Sequence, residues 1–292
     1  MRFATSLSGA VRCSSVITTK NRKDDLAKAI SSALSQNVHE VIVWDDGSTD
    51  GTADFVAERF PSIRLVRSEI SVGLINARNK LAQIATGDLL FSIDDDAVFS
   101  EVGIVSEIAV QFVHHRIASI AIPLINVNQS QKVLQKAQSA GATEPIRQFI
   151  GTAHALRKDV FLKVGGYPDY LGRQEEELHF AAELYRNGYQ IVKGYSDPIH
   201  HFESATRSRP EEAYREARNL WLFALRYAPI WALLPHLAGS AVNVLRHRRE
   251  FRPHVLRGFW DALCYLPKCP RTPLTSRQYV DFRKLSHTLD AR

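Results

Sequence analysis

Twice in the N-terminal third of this chain an apolar run stops abruptly at carboxylates. Val41-Ile42-Val43-Trp44 runs into Asp45-Asp46-Gly47, and Leu89-Leu90-Phe91-Ser92-Ile93 runs into Asp94-Asp95-Asp96. Such near-continuous apolar runs read as strands buried on both faces, the mark of a parallel sheet covered by helices. Amphipathic stretches separate them. Leu26, Ile30, Ala33 and Leu34 share one face of a helix over 26–36, which Asp24 or Asp25 can cap. Further helices are predicted over 52–59, stopped near Pro61, and over 75–85, ended at Gly87. With strands at 11–19, 40–44, 63–67 and 89–93, the order β-α-β-α-β-α-β predicts an α/β fold with a mainly parallel, Rossmann-like sheet.

Ligands of such sheets bind beyond the C-terminal strand ends, where Asp45, Asp46, Asp94, Asp95 and Asp96 fall. Alternate strand residues point the same way, so Asp94 and Asp96 are expected to face one site together. Two carboxylates held close call for something positive between them, and a hard divalent cation carrying a phosphate suits that place. A solvated acidic turn is the plainer reading of any single such segment.

Downstream, a helix is predicted over 101–114, a strand over 117–122, a polar loop over 126–144, a strand over 149–156 and a helix over 158–164. A helix over 175–187 turns Leu178, Ala181, Ala182 and Leu184 inward, and a last core strand covers 189–192. The character changes after Ser208, which divides the chain into an α/β domain over 11–208 and a helical, basic C-terminal region over 209–292. Residues 227–245 approach the ~20 apolar residues of a membrane span, but Pro229, Pro235, His236 and Asn243 interrupt them. Trp221, Trp231 and Trp260 beside Arg and Lys fit an interfacial, membrane-surface helix better; packing against the α/β domain is the plainer alternative.

The net charge of +6 among 292 residues suits anionic partners: phosphate-bearing ligands, anionic lipid or nucleic acid. Nucleic acid is disfavoured, because zinc-finger spacing and the aromatic and basic strands of an RNA-binding sheet are both missing from the sequence. Three scattered cysteines argue for a reducing compartment. The first fifteen residues show no signal-peptide pattern, so a cytoplasmic location, at the inner face of the cell membrane, is expected.

The segments VITTKNR from Val16, VIVWDDGSTDGT from Val41, GLINARNKLAQIATGDLLFSIDDDA from Gly73 and GGYPDYLGRQEEELHFAAELYRNGYQI from Gly165 occur in the order typical of one family. Together they resemble the inverting family 2 glycosyltransferases of GT-A fold, over roughly Ser14 to Arg207. That resemblance implies a role for each matching residue. Thr18, Thr19, Asn21 and Arg22 contact the nucleotide of a nucleotide-diphospho-sugar, and the pair Asp45 and Asp46 reads the base, Asp45 foremost. Arg78 reaches the diphosphate. Asp94 and Asp96, the outer residues of a D-x-D element, hold Mn²⁺ or Mg²⁺ with His200, favoured over His201, while Asp95 contacts ribose or supports the loop. The general base is Glu175, or Glu176 if the turn is offset; here the chain departs from the family's Glu-Asp pair, carrying Gln174 and Glu175 instead. Arg207 and Arg209 add positive charge to a closing segment.

The implied activity is metal-dependent transfer of a hexosyl or deoxyhexosyl group to a saccharide or lipid-linked acceptor, as in polysaccharide biosynthesis; some relatives of this shape resemble rhamnosyltransferases. Two alternatives remain open on the sequence alone. A nucleotidyltransferase also uses paired carboxylates and metal, but is expected to show a Gly-rich basic loop where this chain has Thr18 to Arg22. A degenerate member that binds nucleotide or scaffolds a membrane synthase is suggested by the altered Gln174-Glu175 pair.

Overall fold

The computed structural model describes residues 11–129, 131–203 and 208–286. Strands and helices alternate as expected through β1 (Cys13–Thr19), α1 (Lys23–Leu34), β2 (Glu40–Asp46), α2 (Thr52–Arg59), β3 (Arg64–Ser68), α3 (Leu74–Ile84) and β4 (Leu89–Asp94). The order β3-β2-β1-β4 forms the parallel half of the main sheet. Alternation across each strand separates two cores. Ile42, Trp44 and Leu90 meet Ile75 and Leu81 of α3 on one face. Val41, Val43, Leu89, Phe91 and Ile93 meet Leu26 and Ile30 of α1 and Val56 of α2 on the other. Each such fully buried side chain stabilises the fold by about 1.5–3 kcal/mol. Asp24 and Asp25 cap nothing: α1 starts at Lys23, so both lie within its first turn, where their charge favours the positive helix end.

The second half departs further from expectation. It runs β5 (Ala97–Phe99), α4 (Ile104–Ala109), β6 (Ile117–Ala121), β7 (Leu124–Asn126), β8 (Lys132–Gln135), β9 (Pro145–Ile146), β10 (His154–Arg157), α5 (Lys158–Lys163), α6 (Glu176–Arg186), β11 (Gln190–Lys193) and β12 (Ile199–His201). β10 inserts antiparallel between β4 and β6, β11 pairs parallel with β6, and β9 closes the edge, so the eight-stranded sheet is mixed. The helix predicted over 101–114 is confined to Ile104–Ala109, entered from Gly103 at φ 104°. The predicted polar loop over 126–144 contains β8, which pairs with β7. With β5 and β12 they make a second, four-stranded sheet in the order β5-β12-β7-β8.

The C-terminal region is helical: α7 (Arg209–Tyr227), α8 (Ile230–His247), α9 (Arg252–Tyr265) and α10 (Ser276–Lys284). Leu222, Phe223 and Tyr227 of α7 join Phe180 and Leu184 of α6 in the core on the α3 face of the sheet. α9 lies against α7 at Gly258, where a Cβ would collide with the Tyr214 carbonyl and sit 3.1 Å from Ala217 Cβ. Among the described residues no helix is long and apolar enough to cross a membrane.

Candidate active site

The parallel strand ends open into a cleft of about 770 Å³. Thr18, Thr19, Lys20, Arg22, Asp46, Ser71, Gly73, Asp94, Asp95 and Asp96 line one side; Gly172, Arg173, Gln174 and the α7 residues Glu211, Glu212 and Arg215 line the other. The cleft thus lies between the sheet and the start of the C-terminal helices.

The loops after β1, β2 and β3 are tied together. Asn21, at φ 55°, donates its N–H to Ser48 Oγ at 2.9 Å, and its Oδ1 accepts from the Thr49 N–H at 2.8 Å. Asparagine tolerates that left-handed backbone better than most residues. Asp45 is fully buried beneath the loop, accepting from the Ser48 N–H at 2.9 Å with Arg67 Nε at 3.7 Å. Expected as the foremost base reader, it supports the turn, and Asp46 is the member of the pair that lines the cleft. The Asp46 carboxylate accepts from Ser71 Oγ at 2.5 Å, the Val72 N–H at 2.7 Å and the Gly73 N–H at 3.0 Å. Burial opposes its ionisation, but these donors prevail and hold it below the usual carboxylate range. Gly47, at φ 76°, lets the two loops meet: a Cβ there would lie 2.9 Å from the Ser71 nitrogen.

At β4 the strand ends with Asp94, and Asp95 and Asp96 form the turn into β5. The turn, rather than strand alternation, brings Asp94 and Asp96 together. Asp94 shares its face with Leu90 and meets α3, where Arg78 Nη2 donates to its Oδ1 at 2.6 Å. Arg78 is not an open diphosphate contact: its side chain is 5% exposed, and Nη1 also lies 3.2 Å from Glu176 and 3.7 Å from Glu177. Gly151 makes room for this cluster, since a Cβ there would collide with Glu177 and stand 2.8 Å from Arg78 Nη1. Arg22 Nη1 bridges Asp95 at 3.0 Å and Asp96 at 2.7 Å, and Thr19 Oγ1 donates to Asp95 at 2.8 Å. Burial lifts the Asp95 carboxyl to about 6, against Arg22 and Thr19. For Asp96 burial is outweighed by His201 and Arg22, and its carboxyl falls to about 2.

The imidazole beside these carboxylates belongs to His201, not His200. β12 pairs antiparallel with β5, setting His201 opposite Ala97, directly after Asp96. His201 Nε2 lies 3.2 Å from Asp96 Oδ1, while His200, opposite Val98, projects to the other face of the small sheet. Asp94, Asp96 and His201 each offer a ligand atom, all within 4.8 Å of one another. The His201 ring is buried with Nε2 turned to Asp96, so it presents a nitrogen beside both carboxylates. Two carboxylate oxygens and an imidazole nitrogen make a donor set fit for a divalent cation. His201 was the less favoured of the two histidines in the sequence; Thr152, whose Oγ1 accepts from the Asp94 N–H at 3.0 Å, and the α7 wall escaped sequence reasoning. A three-residue strand carries too little pattern to reveal its register.

On the far side, Gln174 at φ 70° and Glu175 at φ 64° form a left-handed turn before α6, at a cost of order 1–3 kcal/mol each for such residues. Gln174 lines the cleft, and Glu175 and Glu176, next in the chain, do not. Burial, reinforced by Glu216 and Glu176, pushes the Glu175 carboxyl up to about 8. Arg209 opens α7, and Arg207 lies outside the described residues.

Residues 14–167 match the model of one family, described as Glycosyl transferase family 2. Over 88 residues the chain is 35% identical to the succinoglycan biosynthesis protein ExoU of Rhizobium meliloti; that stretch is 29% of this chain and 26% of the relative, so the match spans about a quarter of the curated relative. The fold is similar to that of the mannosyltransferase PcManGT from Pyrobaculum calidifontis, solved with GDP-Man and Mn²⁺, at TM-score 0.62 and 18% identity, covering 94% of this chain and 79% of that one. It is also similar to S. aureus TarS 1-349, at TM-score 0.61 and 18% identity, covering 86% and 80%.

Proposed function

Because this chain belongs to glycosyl transferase family 2, we propose that it moves a hexosyl or deoxyhexosyl group, rhamnosyl among them, from a nucleoside-diphospho-sugar to a saccharide or lipid-linked acceptor, with inversion. The observation that carries this reading is the convergence of Asp94, Asp96 and His201 within 4.8 Å at the strand ends. In this reading Thr18, Thr19, Arg22, Asp46 and Asp95 cradle the nucleotide, with Asn21 and Asp45 bracing the loops beneath it. Asp94, Asp96 and His201 hold the divalent cation, Mn²⁺ or Mg²⁺; when bound, it supplies Lewis-acid stabilisation of the departing diphosphate. The Mn²⁺ in the PcManGT structure accords with that choice of ion.

A glutamate of the far-side turn takes the acceptor hydroxyl proton onto its carboxylate. The freed oxygen attacks the anomeric carbon opposite the leaving group, and the nucleoside diphosphate departs with the electron pair of the broken bond. Glu175 is the better base on two grounds: its raised basicity, and the engagement of Glu176 with Arg78.

The C-terminal helices support peripheral contact with the inner face of an anionic membrane. α8 exposes Ile230, Trp231, Leu234 and Val242, and α9 exposes Leu256, Trp260 and Leu263. Residues 230–245 carry no Asp, Glu, Lys or Arg, and Arg246, Arg248, Arg249 and Arg252 follow. Apolar faces edged by arginines suit an interface of acyl chains and anionic headgroups, and the name of ExoU accords with an acceptor used in polysaccharide biosynthesis.

Thermal unfolding with UDP, GDP, CDP or dTDP, each with Mn²⁺, Mg²⁺ or EDTA, tests the donor site. One nucleoside diphosphate is expected to raise Tm with metal but not with EDTA. The matching nucleotide-sugars then test transfer. Binding without hydrolysis or transfer to any acceptor favours the scaffold alternative. Sedimentation with vesicles of anionic or neutral lipid tests the membrane contact, which fails if neither pellets the protein.

A further inference from the structure

The left-handed turn at Gln174 and Glu175 is held from outside the α/β part of the chain. Asn219 lies in the middle of α7 and is fully buried. Its Nδ2 faces three carbonyls of the turn region: Leu171 at 3.3 Å, Arg173 at 2.9 Å and Gln174 at 2.9 Å. The other polar atom of that side chain and its own carbonyl are also engaged. Asn219 Oδ1 accepts from Arg218 Nη1 at 2.8 Å, and the Asn219 carbonyl accepts from His179 Nε2 at 3.0 Å. His179 sits on α6, one helical turn after Glu175. Its burial lowers its pKa to about 3, so the ring is neutral. With Nε2–H donating to Asn219, Nδ1 is left to accept from Tyr170 OH at 3.3 Å. Arg218 Nη2 adds a bond to the Tyr170 carbonyl at 3.2 Å. The segment from 170 to 179 is therefore pinned at several points by two adjacent residues of α7.

Such pinning is costly to arrange. An amide with two hydrogens, set among three carbonyls inside the protein, fixes its neighbours only when its bonds are made. What it fixes is a backbone shape that Gln and Glu seldom adopt. A shift of about 1 Å in the reacting group can lower turnover about 100-fold.

We propose that Asn219 is a positioning residue, which holds the Gln174–Glu175 turn in its left-handed form and so aims the general base at the acceptor hydroxyl. This rests on the reading that the base belongs to that turn. The C-terminal helices then complete the active centre as well as covering the sheet.

The test is a double-mutant cycle between Asn219→Ala and Gln174→Gly, read by transfer kinetics. Asn219→Ala alone is expected to lower kcat roughly 10- to 100-fold, with donor KM and nucleoside diphosphate binding within about twofold of the wild type. Glycine adopts a positive φ without strain, so in the Gln174→Gly background the same substitution is expected to cost less than about threefold. Equal losses in both backgrounds, or wild-type kcat in Asn219→Ala, overturn the proposal. Should Asn219→Ala fail to fold, the double variant is expected to fold; if that also aggregates, Asn219 is a packing residue and the proposal falls. Glu175→Gln and Glu176→Gln run alongside. If neither lowers transfer, the base reading has failed and takes the proposal with it; if one abolishes transfer while Asn219→Ala stays fully active, only the positioning role is lost.

Discussion

Replacing Arg78 by methionine, which fills a similar volume without charge, removes the guanidinium shared by Asp94, Glu176 and Glu177. The three carboxylates differ in what they lose. Asp94 is 27% exposed at its side chain and regains water; Glu176 is 3% exposed and does not. At 3.2 Å the Arg78–Glu176 attraction is about 5 kcal/mol at an effective dielectric constant near 20. Breaking a buried pair by removing one partner costs about 3–5 kcal/mol, so Glu176 alone accounts for most of the expected loss. For a chain of 292 residues that corresponds to a Tm lower by roughly 5–8 °C. The pH dependence carries the sharper test. Arg78 opposes the rise that burial imposes on the Glu177 carboxyl, so without the guanidinium its folded-state pKa lies still further above the unfolded value. Such a group is tolerated while protonated and becomes destabilising as pH climbs. Burial beside Glu176 already pushes Glu177 upward. The Tm deficit of Arg78→Met is therefore expected to be smallest near pH 5 and to widen toward pH 8. Calorimetric scans across that range check it. A deficit that is constant with pH, or largest in acid, would refute the account of Arg78 as a buried counter-charge.

Asp96→Asn is expected to lower turnover sharply, by roughly 100-fold or more, with the fold intact by circular dichroism; full metal-dependent activity in that variant sinks the metal assignment. His201→Ala is expected to raise the Mn²⁺ concentration needed for half-maximal activity by about tenfold or more, and His200→Ala to leave it unchanged. With Glu175 as base, kcat/KM is expected to climb with pH through about 8, and Glu175→Gln to be inactive at every pH. The same raised carboxyl costs stability once ionised, so Glu175→Gln is expected to gain more Tm at pH 9 than at pH 6. Gly258→Val is expected to separate α9 from α7 and lower Tm, because the Tyr214 carbonyl occupies the space a side chain needs.

Sequence reading recovered the first four strands and their helices because those elements are long enough for burial to write a pattern. Val41 to Trp44 and Leu89 to Ile93 must be apolar on both faces, and Leu26, Ile30 and Ala33 on one. The carboxylates expected beyond the strand ends do line the cleft there at Asp46, Asp94, Asp95 and Asp96. What stayed hidden lies in short pieces or distant pairings. β5 and β12 are three residues each, so the choice between His200 and His201 depends on a register that no periodicity records. The antiparallel insertion of β10 leaves no local trace. Arg78 was found, but its commitment to Glu176, 98 positions away, is a tertiary fact. The bonds from Asn219 to the turn, 45 to 48 positions away, are another.

The arginines that grip the acidic turn have a thermodynamic consequence. Arg22 on Asp96 and Arg78 on Asp94 act as built-in counter-ions, so the turn keeps its shape without help from solution. A cation arriving at Asp96 must outbid a guanidinium for the same carboxylate. Its affinity is then a difference between two attractions and is weaker than three bare ligands promise.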